Sequence, residues 1–301
     1  MNKSFNDNHL KDIVKVIKDR IFVPLTAKKT TVFLCGGAID DKNNGRSKMA
    51  SIFDVHSRYE LLYPEDIFDD LLAGPGQHSL LHLENILADC VDAIVLFPES
   101  PGSFAEIGAF SNNPRLARKL IVLSNKNYKS NKSFINYGPY RLIKESKTGI
   151  VFHINYKDLD SSDLGKKLYK KVSSRVSTIK KEHPVKKDVT NILEVEHFIL
   201  PCIYLIDDVN FLILTKLISF ATGEDPKFCE IAIKSSLGRL AAKRFISRTS
   251  DGYNVTSEGA SYVRNTFNNT ALDKVRLEIL NAENRRNASV DSVRISQGGY
   301  S

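Results

Sequence analysis

Four cysteines are all that 301 residues contain, Cys35, Cys90, Cys202 and Cys229, and no two of them form a C-x-x-C pair. They lie far apart among apolar neighbours, which points to buried free thiols and away from a disulfide framework or a zinc site. The seven histidines show no metal-ligand spacing. No apolar run approaches the length that crosses a bilayer, and the opening MNKSFNDNHLKDIVKVIKDR is charged and amphipathic, with no apolar signal core. A cytoplasmic protein without membrane partner, metal or bound cofactor is therefore expected. No internal repeat is visible.

Apolar residues make up 42% of the chain, enough for packed cores, and the length suits two domains. The charge is uneven. Residues 115–187 carry 19 Lys and Arg against 5 Asp and Glu, whereas 1–114 carry 11 against 16 and 188–301 carry 13 against 14. Such a zone attracts polyanions by steering and counterion release. It runs through KNYKSNKSFINYGPYR, where tyrosines interleave with the cations, and GKKLYKKVSSRVSTIKKEHPVKK. Lys129, Lys132, Lys166, Lys167, Lys170 and Lys171 are candidate nucleic-acid contacts, against the plainer reading of a solvated helix face.

Hydrophobic periodicity predicts a helix over about 7–21, then a buried strand in TTVFLCGGA ending at Gly36-Gly37. Further strands are predicted over 60–63, 92–97, 119–123 and 149–154, with helical patterns between most of them. Strands alternating with helices predict an α/β fold with a parallel sheet, whose ligand lies beyond the carboxyl ends of the strands. The division expected is a sheet domain over 1–160, a basic helical linker over 161–187 and a second domain over 188–301. In that second domain three helices precede a strand, a turn at Asp251-Gly252, a second strand and a helix, the order of a winged helix-turn-helix.

Chemistry concentrates in LFPESPGSFAEIGAFSNN, residues 96–113. A carboxylate, Glu106, stands one turn inside the helix that follows an apolar strand. Ser103 and Glu106 have the spacing of a capping box, the structural reading of this pair. The location offers another: the helix end faces the ligand crevice, Gly102 allows close approach, and a carboxylate there suits an oxocarbenium-like transition state at a sugar anomeric carbon. Glu84, at the edge of the apolar face formed by Leu80, Leu83, Leu87 and Cys90, and Asp66, close behind a strand end, are candidate second acids. Gly36, Gly37, Gly102 and Ser103 are candidate substrate contacts, as is His78, which follows Gly74-Pro75-Gly76.

The G-[ST]-x-x-E-x-G pattern of Gly102, Ser103, Glu106 and Gly108 resembles nucleoside 2-deoxyribosyltransferases, and that resemblance implies Glu106 as nucleophile. Phe110 and Cys35-Gly36-Gly37 differ from the transferase pattern. A longer resemblance is carried by FLCGG, YPEDIFDDLLAGPGQHSLLHLENILAD, LFPESPGSFAEIGAFSNN, SFINYGP, LPCIYL and DGYNVTSEGASYVR. Together these are similar to the effectors of type II-A retrons, over nearly the whole chain. The resemblance implies a deoxyribosyltransferase-like (Rossmann-like) N-terminal domain and a C-terminal winged helix. It further implies an antiphage toxin partnered with a reverse transcriptase and its RNA-linked DNA, the msDNA, and an N-glycosidase activity with NAD as substrate. A higher-order oligomer is expected. The alternative is a nucleic-acid-binding regulator whose N-terminal domain senses a nucleotide without cleaving it.

Overall fold

The structure is a computed structural model that describes residues 7–24, 29–63, 79–207 and 209–281. The chain divides into two compact units, Leu25–Leu193, and Met1–Pro24 together with Glu194–Ser301. This division differs from boundaries at 160 and 187. The opening helix α1 (Asp7–Arg20) groups with the later residues, and the expected linker groups with the sheet.

The sheet unit alternates strands and helices: β1 (Thr30–Cys35), α2 (Gly45–Asp54), β2 (Tyr59–Leu62), α3 (Leu80–Cys90), β3 (Ala93–Leu96) and α4 (Pro101–Asn112). Then come α5 (Pro114–Ala117), β4 (Leu120–Asn125), α6 (Phe134–Tyr137), α7 (Pro139–Glu145), β5 (Ile150–Ile154) and α8 (Ser162–Glu182). All five strands are parallel in the order β2-β1-β3-β4-β5, so the direction of strand addition reverses between β1 and β3. The central strands are apolar and buried along nearly their whole length, because helices cover both faces of a parallel sheet.

α8 is one of those covers. Leu168, Val172, Val176 and Ile179 recur at helical spacing and pack in one buried cluster with Val32, Leu34, Val95, Ile121 and Leu123. Its last turn is pinned as well: Lys180 Nζ lies 3.2 Å from Asp92, which is buried and accepts from the Thr31 amide at 2.9 Å. A helix held this way is part of the sheet unit, which is why the chemistry of a linker does not apply to it.

In the other unit α1 turns Leu10, Ile13, Val14 and Ile17 inward. The elements that follow include α9 (Val195–Leu205), α10 (Phe211–Thr222), α11 (Pro226–Ala242), a hairpin of β6 (Ile246–Arg248) and β7 (Tyr253–Val255), and α12 (Ser257–Thr266), with helical residues again over 269–281. Asn210, Asp225 and Thr256 cap the helices they precede. Gly259 is needed where it stands: a Cβ there would lie 2.0 Å from the Phe245 carbonyl oxygen.

Candidate active site

In an open doubly wound sheet the ligand crevice lies where strand order reverses, outside the carboxyl ends of the strands. Here that point is the end of β1, carrying Cys35, Gly36 and Gly37, and the end of β3, carrying Phe97 to Gly102. Cys35 is buried, and its thiol donates a hydrogen bond to the Glu106 carboxylate. Burial, and then the charges of Glu106 and Glu84, push the thiol well above the ordinary cysteine range, while Arg46 pulls the other way. The charges of Glu106 on α4, Glu84 on α3 and Arg46 on α2 thus all act on the one thiol at the end of β1.

Each of these groups is held. Glu84 is 5% exposed, beside the fully buried Leu83 and Leu87, and the Oε2 atom of Glu106 is shielded from solvent. Arg46, 2% exposed, donates from Nη1 to the Gly37 carbonyl at 3.0 Å, and its guanidinium lies 5.1 Å from the centre of the Tyr63 ring. Phe110 is fully buried and packs on Phe33 with ring centres 6.2 Å apart, so it is part of the core behind the site.

The capping box lies one turn earlier than the spacing of Ser103 and Glu106 suggests. α4 starts at Pro101 and its N-cap is Ser100, whose Oγ accepts from the Ser103 amide at 3.2 Å; Ser103 Oγ accepts in return from the Ser100 amide at 2.9 Å. Ser103 Oγ also accepts from the Glu99 amide at 3.0 Å. Glu106 takes no part in that cap. Pro101, which suits the first helical position, sets the start. Gly102 is exposed on the first turn and Ser103 is buried beneath it. Asp66 and His78 lie outside the described residues.

Sequence reasoning missed Arg46 and Glu99. The Glu99 carboxylate accepts from the amides of Gly37 at 3.1 Å, Arg46 at 3.0 Å and Gly45 at 2.8 Å, joining the end of β3 to the loop after β1. Only the pairing of β1 with β3 brings these distant residues together.

The model of the STM3845 retron effector family matches residues 42–248 of this chain. An Escherichia coli protein named "Retron Ec86 putative ribosyltransferase/DNA-binding protein" is 46% identical over 296 residues, which span 96% of each chain. This chain belongs to the STM3845 retron effector family. The Retron Ec73 protein of the same description, also from Escherichia coli, is 33% identical over 150 residues, 47% of this chain and 46% of its own.

In this retron effector the basic middle separates into structural and free cations. Lys119 is buried and caps the carbonyls of Asp89 (2.6 Å) and Val91 (3.0 Å), with its pKa lowered by burial, and Lys180 is tied to Asp92. Lys166, Lys167, Lys170 and Lys171 are exposed on the outer side of α8, and Lys129 and Lys132 are exposed after β4. Beside these last two, Tyr128 is 60% and Phe134 84% exposed. Arg141 covers Tyr137 at 4.7 Å. A cavity of about 590 Å³ opens between α2 and α8, lined by Ser51, His56, Gly165, Lys166, Tyr169 and Lys170 among others. It does not include Glu106.

In the other unit, Arg239 and Lys243 bind the buried Glu196 at 2.8 and 2.6 Å, and Arg244 and Arg248 are further exposed cations near the hairpin. Among the described residues no group of three or more His, Cys, Asp and Glu could hold a metal, and no helix is long and apolar enough to cross a membrane.

Proposed function

We propose that this retron effector is an N-glycosidase toxin that cleaves NAD to nicotinamide and ADP-ribose, with Glu106 as the catalytic carboxylate. The observation that carries the reading is the convergence of Glu106, Glu84, Arg46 and Cys35 at the point where strand order reverses. As the bond from C1 of the ribose to the ring nitrogen breaks, its electron pair leaves with nicotinamide. The ring was cationic, so it departs neutral and needs no proton. The ribose develops oxocarbenium character, which Glu106 stabilises electrostatically or traps as an ester, and water then delivers hydroxyl to C1. In this reading Glu84 takes the proton of that water. The relatives' names, a ribosyltransferase and DNA-binding protein of a retron, agree with glycosyl transfer at this site.

Membership of a retron family further supports association with the retron reverse transcriptase and its msDNA. The exposed lysines of α8, with Lys129, Lys132 and the neighbouring aromatic rings, form the polyanion surface in this reading. The hairpin and flanking helices of the other unit form a winged helix. Control of the enzyme passes through that complex.

The test is Glu106→Gln, which keeps the shape and removes the charge. Free nicotinamide released from NAD by the assembled complex should fall by several powers of ten, at about 1.4 kcal/mol per tenfold, and cellular toxicity should vanish. Unchanged release by a folded variant would reduce Glu106 to a structural residue and leave a nucleotide-sensing regulator in its place.

A further inference from the structure

The first β–α turn of a doubly wound sheet is where a ligand's phosphate or diphosphate settles, on free amides at the positive end of the helix dipole. In this protein that seat is taken. α2 is ten residues long, and its N-cap residue, Asn44, makes no side-chain cap. The amides of Gly45 and Arg46, which would otherwise face the crevice, donate instead to Glu99, as does the Gly37 amide. Three amides on one carboxylate reproduce the contacts a phosphate would make there.

Glu99 is not on a loose arm. Its own amide donates to Ser103 Oγ, and the next residue, Ser100, donates from Oγ to the Gly36 carbonyl at 3.1 Å. The same carboxylate shares the space that the glycines open: a Cβ on Gly36 would stand 2.7 Å from Arg46 Cβ and 2.8 Å from Glu99 Oε1, and one on Gly45 would stand 2.5 Å from the Phe97 ring and 3.2 Å from Oε2. A phosphate brought to these amides would have to displace an anion held by three charge-assisted hydrogen bonds.

We infer that Glu99 is a specificity-determining residue, which closes the phosphate seat of α2 with the protein's own carboxylate. The site then takes its substrate by the nucleoside end, and the diphosphate of a dinucleotide lies elsewhere than on the α2 turn. This rests on the glycosidase reading only for the identity of the substrate. The closure itself is a binding property and is measurable without turnover.

The probe is inorganic pyrophosphate, titrated into the full chain while the amide resonances of Gly37, Gly45 and Arg46 are followed by NMR. In the wild-type protein these three resonances should stay in place, even if pyrophosphate moves signals from the lysine-rich surfaces. In Glu99→Ala they should shift and saturate, with affinity at least tenfold above any wild-type response. Glu99→Gln keeps an acceptor oxygen and so protects the fold, and it should show the same gain in smaller measure. Two results would overturn the inference: saturating shifts in the wild type equal to those of the variants, or unmoved resonances in folded Glu99→Gln and Glu99→Ala. If NAD is not cleaved but the variants gain pyrophosphate, the glycosidase reading fails and the role of Glu99 stands.

Discussion

Replacing Cys35 by alanine removes the thiol that donates to Glu106 and, because the site is buried at the end of β1, leaves a small cavity in its place. A hydrogen bond to a charged group contributes about 1.5–3 kcal/mol, and S–H is a weak donor, so the low end applies. If the thiol holds the carboxylate against the anomeric carbon, that loss slows turnover by about tenfold at ~1.4 kcal/mol per decade. KM should stay near its wild-type value, because the thiol is placed to orient Glu106 and not to bind substrate. Cys35→Ser restores a donor on a shorter bond and should recover part of the rate. The assay is nicotinamide release by the assembled complex, with thermal melting to confirm that each variant is folded. Full turnover in Cys35→Ala, or Cys35→Ser as slow as Cys35→Ala, would refute the idea that the thiol positions the carboxylate.

Two further outcomes concern acid stability and polyanion binding. Burial holds His197 below its ordinary pKa of 6.5, with one ring nitrogen 3.2 Å from the Val23 carbonyl. The native state then binds fewer protons than the unfolded one, so this contribution to stability is whole above pH 6.5 and is lost as pH falls through the lowered value. Burial pushes Glu196 up, but Arg239 and Lys243 outweigh it and hold the carboxyl below 4.5, so a second loss should begin below about pH 4.5. Melting curves from pH 8 to 4 should show both, and His197→Gln should reduce the first, to which burial of His153 and His183 also contributes; a flat profile down to pH 4.5 in the native protein would contradict it. Neutralising Lys166, Lys167, Lys170 and Lys171 to glutamine should flatten the salt dependence of msDNA binding by up to about 0.7–0.9 per phosphate contact. An unchanged slope would return these lysines to the status of a solvated face.

The strands were legible because runs such as Val32 to Cys35 and Ala93 to Phe97 are apolar at every position, the pattern a doubly covered sheet requires. The placing of Glu106 after β3 followed from the same pattern. The helix start was not legible. Ser100 and Ser103 both precede an acidic or polar residue at capping distance, and only the fit of Pro101 to the first helical turn separates them. Glu99 was hidden for a different reason: its partners are three backbone amides, which leave no side-chain signature in a sequence. Lys119 and Lys180 look like members of a charge run, and become structural only once the carbonyls and carboxylate they reach are folded beside them.

The grouping of residues 1–24 with 194–301 sets an order of events during synthesis. The chain starts one unit, leaves it to build the whole sheet, and only then returns to finish what it started. At about 5–20 residues per second the ribosome completes the acid cluster several seconds before the helical unit can close around α1. On the glycosidase reading, the catalytic unit would therefore exist before its companion does, while Leu10, Ile13, Val14 and Ile17 of α1 are still uncovered. Restraint of the newborn effector would then have to come from outside the chain, or from a step that the finished helical unit must first permit.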